Sequence, residues 1–392
     1  MKILHLIYSS GPFGAEKHLL QLLPALKTHN IFCEVIFICP KNNTRALEEY
    51  CEKMNGLGIK ITLLTVTSKI SLFSAARSVY KYLKKNDISL LHSHLFSADF
   101  TAVLIKKLYL PYLILFSTKH GYEEEYLLQY GLGNKKINYN FYYFISKVIN
   151  KRIDHNVAVS KTLSQLYSYL KLVTGEMKYI DHGIKPNEPD LNIKALPGHP
   201  KIMIVGRLSG IKGHLYLFKA MPEVIARFPQ IKLYILGIGV LKDYLYEEAK
   251  NLNILDNIEF IGLANPANFT PYCQAMVLPS LFESFGLVYI ESFALKIPVI
   301  AFDTINGSCI IEDNKTGFLV RKEDVKALAE KIIFVLSSPK ISEGVAENAY
   351  KKYLTEYTVE TMAKKTADWY TISLKNQPGI VANFEGKNVA FK

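Results

Sequence analysis

Short apolar runs rich in β-branched residues alternate with longer helical stretches along the whole chain. Parallel strands need a crossover segment between them, and a strand that is buried on both faces is apolar throughout. The alternation therefore predicts an α/β fold in which helices cover both faces of parallel sheets. The predicted strands are Lys2–Tyr8, Cys33–Cys39, Lys60–Val66, Leu90–Ser93, Leu113–Thr118, His155–Val159, Lys201–Val205, Lys232–Leu236, Ile258–Ile261, Met276–Leu278 and Pro298–Ala301.

A chain of 392 residues is longer than one hydrophobic core usually supports, so we expect two domains. Proline and polar residues are dense between Lys185 and Pro200, which predicts a linker there. We expect doubly wound, Rossmann-like domains over residues 1–190 and 198–355, and a helical stretch over residues 344–374. Residues 376–392 form a polar tail whose structure the pattern does not predict.

The first strand has one positive charge and no small-residue cleavage pattern after it, so we interpret it as a buried strand. The most apolar later segment, Leu108–Phe116, has about half the length of a membrane-spanning helix. We therefore expect no transmembrane segment and a cytoplasmic location. The five cysteines show no CxxC or Cys/His metal spacing, which argues against a disulfide framework or a zinc site and predicts buried reduced thiols.

The net charge of +12 is distributed unevenly. Residues 1–196 contain 25 Lys and Arg against 15 Asp and Glu, whereas residues 197–392 contain 22 against 20. This asymmetry indicates that the first half meets an anionic partner, whether nucleic acid, a lipid surface or a charged glycan.

The loops after the first strand of each half are the first candidates for ligand binding, because ligands of parallel α/β sheets bind at the carboxyl ends of strands. In the first half, Gly14 lies where a helix begins, and a glycine there lets backbone N–H groups approach a phosphate. A plain tight turn explains this glycine equally well. In the second half, Arg207 and Lys212 lie in a glycine-containing loop that would suit a diphosphate, although two ordinary surface cations remain an alternative.

The segment Leu278–Ala294 leads from a strand through a turn into a helix that we expect to begin near Ser284 or Phe285. The backbone donors from Ser284 through Phe285 and Gly286 to Leu287 would then form an anion site. On one continuous helix, Glu283 and Glu291 would lie about 12 Å apart and about 80° around the axis, which fits a glycosidase carboxyl pair poorly. They would suit a sugar and a ribose on one elongated ligand. Alternatively, one glutamate caps the helix and the other forms a half-buried ion pair.

These motifs resemble glycosyltransferase family 4 in their order and spacing. The resemblance rests on the Gly14 loop, Gly206-Arg207-Leu208 with Lys212-Gly213, and Glu283-x7-Glu291, and it covers about residues 1–370. It implies retaining enzymes with the GT-B architecture, in which two Rossmann-like domains face each other across a cleft. The first would be an acceptor-binding domain and the second a nucleotide-sugar-binding domain, with a final helix at about 355–375 crossing back onto the first.

The resemblance also implies roles for individual residues. Arg207 and Lys212 would bind the donor diphosphate, Glu283 would contact the transferred sugar and Glu291 the ribose. Gly237 and Gly239 would lie near the nucleobase. His120 would lie over the reacting centre, although a histidine after a strand is often only a structural hydrogen-bonding group. His5, His92 and His94 are interpreted as structural or acceptor-binding residues without metal spacing.

Two positions depart from the family pattern. The usual Asn-Gly near the end of the first domain is His182-Gly183 here, and the Gly-Gly-x-x-Glu segment becomes Asn306-Gly307-Ser308-Cys309-Ile310, without a glutamate. These departures concern details of the donor site more than the reaction class.

The predicted reaction is retaining transfer of a hexose or N-acetylhexosamine from a UDP-sugar or GDP-sugar to a glycan acceptor. The chain has no Asp-x-Asp metal signature, so we expect transfer without a metal or other cofactor. Cations and helix-mouth amides would stabilise the departing diphosphate.

The segment Lys135–Arg152 interleaves cations with aromatic and aliphatic residues at helical spacing. Such a helix can bind an anionic membrane interface, which would suit a lipid-linked acceptor in cell-envelope polysaccharide synthesis, such as lipopolysaccharide, O-antigen or capsule. A helix that packs on the first sheet and exposes a basic edge to solvent remains an alternative.

A non-enzymatic protein that binds anionic glycans or nucleic acid is the alternative function. Its support is charge alone, since the sequence contains no recognition-helix, RNP or zinc pattern, and we expect no nucleic-acid partner. A phosphorylase or an epimerase could use the same architecture, but we see no context for a pyridoxal phosphate lysine.

Overall fold

A computed structural model of the chain describes residues 1–9, 11, 14–40, 44–66, 71–121, 141–175, 177–190, 199–283 and 285–375. The described residues form two compact units. The first unit contains residues 1–121, 141–183 and 359–375, and the second contains residues 184–358, in each case as far as the structure describes them.

The first unit is built on a seven-stranded sheet in which all strand pairs are parallel, in the order β3-β2-β1-β4-β5-β6-β7. Its strands are β1 (Lys2–Tyr8), β2 (Phe32–Pro40), β3 (Lys60–Val66), β4 (Leu90–His94), β5 (Ile114–Lys119), β6 (His155–Ala158) and β7 (Lys178–Tyr179). Its helices are α1 (Gly14–Leu26), α2 (Thr44–Gly56), α3 (Leu72–Lys85), α4 (Phe96–Leu108), α5 (Phe141–Asn150) and α6 (Lys161–Tyr169).

The second unit contains a six-stranded parallel sheet in the order β10-β9-β8-β11-β12-β13. Its strands are β8 (Lys201–Val205), β9 (Lys232–Leu236), β10 (Ile258–Gly262), β11 (Ala275–Leu278), β12 (Val299–Asp303) and β13 (Phe318–Arg321). Its helices are α7 (His214–Arg227), α8 (Lys242–Asn251), α9 (Leu287–Ala294), α10 (Ile305–Ile310), α11 (Val325–Ser337) and α12 (Pro339–Glu356). A last helix, α13 (Val359–Lys375), belongs to the first unit.

The two sheets share one topology, because the first six strands of each unit follow the same order. The strand order reverses between β1 and β4 in the first sheet and between β8 and β11 in the second. Such a switch point leaves a crevice at the carboxyl ends of the two strands, where ligands of doubly wound sheets bind. The predicted α/β class with two doubly wound parallel sheets is confirmed.

Alternate residues of β1 enter different cores. Ile3 and Ile7 lie in the core beneath α1 and α13, whereas Leu4 and Leu6 lie in the core beneath α3 and α4. Strand side chains point to opposite faces in turn, so a strand that is apolar at every position is buried on both. Trp369 of α13 is buried in the first of these cores.

The structure corrects several boundaries. β7 and β13 were not predicted as strands, and both are short, with two and four residues. The helical stretch expected over residues 344–374 is two helices, because the Tyr357 carbonyl accepts a hydrogen bond from the Ile184 N–H (2.9 Å) where the helix would have continued. The cysteines form no disulfide, and four are buried as expected, but Cys309 is exposed.

Within the described residues, no helix is both long and apolar enough to cross a membrane.

Candidate functional site

Two loops meet at the switch point of the second sheet. Gly213, after β8, adopts a left-handed conformation with φ of 71°, and a Cβ atom there would lie 1.8 Å from the Pro279 carbonyl oxygen after β11. The Leu281 N–H donates to the Ile211 carbonyl oxygen at 2.8 Å. Only glycine allows this close approach of the two backbones.

The predicted nucleobase loop packs against the loop after β8. A Cβ atom on Gly237 would lie 1.9 Å from the Gly206 carbonyl oxygen, and one on Gly239 would lie 2.4 Å from the Leu208 carbonyl oxygen. The Leu208 N–H donates to the Ile238 carbonyl oxygen at 3.0 Å. Close packing of the two loops therefore requires both glycines, whatever they contact in a ligand.

Lys212 and Glu283 form an ion pair, with 2.6 Å between Lys212 Nζ and Glu283 Oε1. Their side chains are 16% and 13% exposed. Arg207, five residues before Lys212, exposes its side chain. The structure thus joins a residue expected to bind the diphosphate with one expected to contact the sugar.

The helix that follows Glu283 begins later than expected. α9 starts at Leu287, because Gly286 precedes it in the left-handed region with φ of 92°, and a Cβ at Gly286 would lie 2.5 Å from the Tyr289 ring. The prediction that the helix begins near Ser284 or Phe285 is wrong, and Ser284 lies outside the described residues. Phe285 is buried, and its ring centroid lies 6.3 Å from that of Tyr357.

The late helix start also changes the relation between the two glutamates. Glu291 lies on α9, whereas Glu283 precedes it. The separation calculated for one continuous helix therefore does not apply to this pair.

Sequence reasoning missed two buried polar side chains beside these loops. The Tyr289 hydroxyl has no hydrogen-bond partner among the described residues. Burial raises the pKa of Tyr289 well above its usual value, and the nearby Glu283 charge adds a smaller increase. His214, the first residue of α7, has both ring nitrogens without a partner there, and burial and Lys212 lower its pKa to about 4. The available signal was their position, because His214 comes two residues after Lys212 and Tyr289 comes three residues after Gly286.

Six histidines of the first unit lie together at its switch point, and we call them the histidine cluster. Neighbouring rings have centroids 4.5 to 6.2 Å apart. Three come from the adjacent strands β1 and β4, where His5 is in register with His92. The members are His5, His18, His92, His94, His120 and His182.

Hydrogen bonds connect the members of the histidine cluster. His5 Nδ1 lies 3.0 Å from His94 Nε2, and His94 Nδ1 lies 3.0 Å from His120 Nε2. His18 Nδ1 lies 2.8 Å from His182 Nδ1. The sequence predicted no such cluster, although the alternation of His92 and His94 on one strand already placed both on one face.

Burial keeps the histidine cluster uncharged. Desolvation lowers the pKa of His5 to about 3, with a further contribution from His18, and lowers the pKa of His18 to about 4. It also holds the pKa values of His92, His94, His120 and His182 well below the usual value, and neighbouring histidines add to the effect. At neutral pH each ring therefore has one N–H donor and one acceptor nitrogen.

Lys119, directly before His120, is anchored by a buried ion pair. Its Nζ lies 2.5 Å from Asp99 Oδ2, and both side chains are at most 4% exposed. Asp99 Oδ1 accepts hydrogen bonds from Ser93 and Ser117 at 2.6 and 2.7 Å. The pair holds the end of β5 against α4, and it therefore fixes the position of His120, the first residue after β5.

Three predicted positions remain, namely Gly14 and the two departures from the family pattern. Gly14 is the exposed first residue of α1, and a Cβ there would meet nothing within 4 Å, so packing does not explain this glycine. His182, one departure from the family pattern, is buried against His18. Cys309, the other, lies on the short helix α10.

The described part of the predicted membrane segment is residues 141–152, which contain α5, and residues 135–140 lie outside the described residues. Phe141, Phe144 and Val148 are 80%, 56% and 51% exposed and lie along one side of this helix. Lys151 and Arg152 follow the helix and are also exposed. Tyr143 and Ile149 are buried, so α5 packs on the first unit as well.

Comparison with known proteins identifies the family. Residues 13–188 match the family described as Glycosyltransferase Family 4, and residues 188–352 match the family described as Glycosyl transferases group 1. The chain belongs to the group 1 glycosyltransferases of the family 4 type. The resemblance seen in the sequence motifs is confirmed.

Two curated glycosyltransferases and one solved structure illustrate the relationship. An uncharacterized glycosyltransferase of Methanocaldococcus jannaschii is 28% identical over 235 residues, which are 56% of this chain and 60% of that protein. The N-acetylgalactosamine-N,N'-diacetylbacillosaminyl-diphospho-undecaprenol 4-alpha-N-acetylgalactosaminyltransferase of Campylobacter jejuni is 31% identical over 150 residues, 38% of this chain and 40% of that protein. Our chain therefore aligns with about half the length of these two curated relatives.

The crystal structure of Anabaena HepE in complex with UDP and glucose has a TM-score of 0.72 and 20% identity, and the match covers 95% of this chain and 100% of that one. At this identity the similarity establishes the fold, which is GT-B.

Proposed function

We propose that this glycosyltransferase moves a hexose or N-acetylhexosamine, with retention, from a nucleotide-diphosphate sugar to a glycan acceptor. The observation that supports this most is the Lys212–Glu283 ion pair at the switch point of the second sheet. A cation and a carboxylate held at one position provide one group for a departing diphosphate and one for sugar hydroxyls.

The donor binds the second unit in this proposal. Lys212 and the exposed Arg207 neutralise the diphosphate, Glu283 accepts hydrogen bonds from the transferred sugar, and Glu291 binds the ribose. The Gly237–Gly239 loop adjoins the nucleobase, and the N-terminus of α9 from Gly286 adds its dipole to the phosphate site. UDP-sugars are the first donors to examine, because UDP is bound in the similar Anabaena structure; GDP-sugars are the second.

Transfer proceeds without a metal in this proposal. Charge builds on the diphosphate as the anomeric bond breaks, and prearranged cations lower the barrier without a divalent ion. The acceptor attacks from the face that the diphosphate leaves, which retains the configuration, and a phosphate oxygen takes the acceptor proton.

The first unit binds the acceptor, with His120 at the reacting sugar. A lipid-linked acceptor of envelope polysaccharide synthesis is supported by the Campylobacter relative, whose name includes diphospho-undecaprenol. The exposed stripe Phe141, Phe144 and Val148, next to Lys151 and Arg152, suits peripheral contact with the anionic inner face of the cytoplasmic membrane.

The direct experiment incubates the purified chain with UDP- and GDP-sugars and measures release of nucleoside diphosphate with and without glycan acceptors. We expect acceptor-dependent release with one donor class, and product NMR with the donor's anomeric configuration. Lys212→Met should abolish most of the release, whereas Lys219→Met, which changes an exposed lysine on α7, should not. Binding of sugars or polyanions without any release would instead favour a non-enzymatic binding protein.

A further inference from the structure

Three members of the histidine cluster form two hydrogen bonds in series. The bonds run from His5 Nδ1 to His94 Nε2 and from His94 Nδ1 to His120 Nε2, each 3.0 Å long. Both nitrogens of the middle ring are used, so the three imidazoles form one continuous chain. His5 starts it on β1, His94 continues it at the end of β4, and His120 ends it just after β5.

A neutral imidazole donates from one nitrogen and accepts at the other. If His94 donates to His120, it must accept from His5, and if it accepts from His120, it must donate to His5. The chain therefore has only two complete arrangements. In the first, His120 has its proton on Nδ1, and in the second it has the proton on Nε2. The tautomers of His5 and His120 are therefore coupled: when His5 has its proton on Nδ1, so does His120, and when His5 has it on Nε2, so does His120.

The two ends of the chain are unusual. His120 Nδ1 and His5 Nε2 are buried and have no hydrogen-bond partner among the described residues. Buried polar atoms are normally paired, because an unpaired one loses its hydration without compensation. The end at His120 belongs to the residue that the proposed function places beside the reacting sugar, so a ligand hydroxyl group is the natural partner for Nδ1.

A metal ion is the other ligand that clustered histidines suggest. Nitrogens of His5, His92 and His94 lie within 4.8 Å of one another. However, His92 already bonds Thr118 through Nε2 and Tyr370 through Nδ1. The three rings are also stacked, with planes inclined by only 15° to 29°, so their lone pairs do not converge on one point. This geometry favours the hydrogen-bonded chain.

We propose that His5 and His94 are positioning residues that fix the orientation and the protonated nitrogen of His120, whose Nδ1 then binds a sugar hydroxyl group. The inference rests on the proposed function, since it gives that site two residues that do not touch the substrate. In addition, it explains how His5 on β1 and His94 on β4 control which nitrogen of His120 donates a hydrogen bond and which accepts one. Residues that orient a ligand-binding histidine act in this way in metal sites, where their loss costs about 10- to 100-fold in activity.

The first experiment is NMR of the full chain with ¹⁵N-labelled histidine, without ligand. We expect ¹⁵N–¹⁵N couplings through the hydrogen bonds between His5 and His94 and between His94 and His120. We also expect one tautomer of His120 to predominate. Absence of both couplings in the folded wild-type chain would overturn the proposal, whether or not the protein transfers sugar.

The second experiment changes His5, which lies at the end of the three-histidine chain farthest from His120. His5→Phe removes both nitrogens and keeps a ring, and we expect it to change the tautomer populations of His120. His155→Phe is the matched control, because His155 lies on β6 of the same sheet and outside the chain of three. Unchanged His120 signals in folded His5→Phe would contradict the proposal. If His5→Phe does not fold, His5→Asn, which can present an amide oxygen or N–H group near the Nδ1 position, should fold and keep the coupling between His94 and His120; loss of that coupling in the folded variant would contradict the proposal too.

Kinetics then separate positioning from a purely structural role. We expect His5→Phe to lower kcat by at least about tenfold with little change in the donor KM, and His5→Asn to recover most of it. Equal losses in both variants would argue for a structural role. Absence of transfer by the wild-type protein would refute the proposed function. The NMR couplings would still decide whether His5, His94 and His120 are hydrogen-bonded in series. Thermal stabilisation by Zn²⁺ that His94→Phe abolishes would assign a metal site and overturn our reading.

Discussion

Lys212 Nζ and Glu283 Oε1 lie 2.6 Å apart although 71 residues separate them in the chain. The contact joins the loop after β8 to the loop after β11, the two strands between which the order of the second sheet reverses. It brings together two motifs that the sequence analysis identified separately.

We expect Lys212→Met and Glu283→Gln to be coupled in stability. Each single substitution leaves a largely buried group unpaired and should lower the free energy of unfolding by about 2 kcal/mol. The double variant should lose less than the sum of the two, because neither charge then remains alone. Urea unfolding of the four proteins, followed by circular dichroism, measures this. Additive losses would show that the pair contributes no interaction energy.

Gly213→Ala should destabilise the second unit by about 3 kcal/mol or more, because its Cβ would overlap the Pro279 carbonyl oxygen at a left-handed φ. Gly210→Ala is the matched control in the same loop, since a Cβ there meets nothing within 4 Å. Scanning calorimetry should show a large fall in Tm for the first variant and little change for the second. Similar Tm values for both would contradict the close approach of the two loops.

Acidification should destabilise the first unit. The pKa values of the histidine cluster are lower in the folded chain than in the unfolded one, so below pH about 6.5 the unfolded chain binds more protons. Stability is therefore fully present above that pH and is lost as the pH falls towards the folded values, by up to about 1.4 kcal/mol per pH unit for each histidine.

The fluorescence of Trp369, the single tryptophan, measures this loss, because it lies in the core of the first unit. We expect the urea midpoint to fall clearly between pH 7.5 and pH 5.5. The control His29→Gln, at an exposed position, should keep the same pH dependence. A midpoint that does not change with pH would mean that the buried histidines are not neutral in the folded chain.

Replacing the exposed stripe of α5 should weaken membrane binding. Phe141→Ser with Phe144→Ser removes two exposed rings and should cost about 2 kcal/mol, or roughly 30-fold in affinity for anionic vesicles. Phe73→Ser, at a phenylalanine 55% exposed on α3, is the control and should have little effect. Vesicle co-sedimentation at low salt measures this. Equal binding by all three proteins would exclude α5 as the contact.

Transfer should persist in EDTA, because the proposed stabilisation of the diphosphate uses Arg207, Lys212 and the N-terminus of α9. The measurement is the initial rate of nucleoside diphosphate release with and without the chelator. Complete loss of activity that Mn²⁺ restores would refute metal independence.

The sequence predicted the strands well, because an apolar run buried on two faces is a local signal. Lys2–Tyr8, Lys60–Val66 and Lys201–Val205 have the predicted bounds. Helix starts were harder to predict. The apolar pattern after Glu283 suggested a helix near Phe285, but the left-handed φ of Gly286 delays it to Leu287.

By itself, the sequence determined the two doubly wound sheets and the loops at their carboxyl ends. The apolar runs of buried strands and the glycines of the loops are local features that can be recognised in a short stretch of sequence. Only the tertiary structure decided that Lys212 contacts Glu283. It also decided that six histidines, from two strands, two loops and one helix, are buried together. Those contacts depend on strand order and register, which bring distant segments together and which no local pattern specifies.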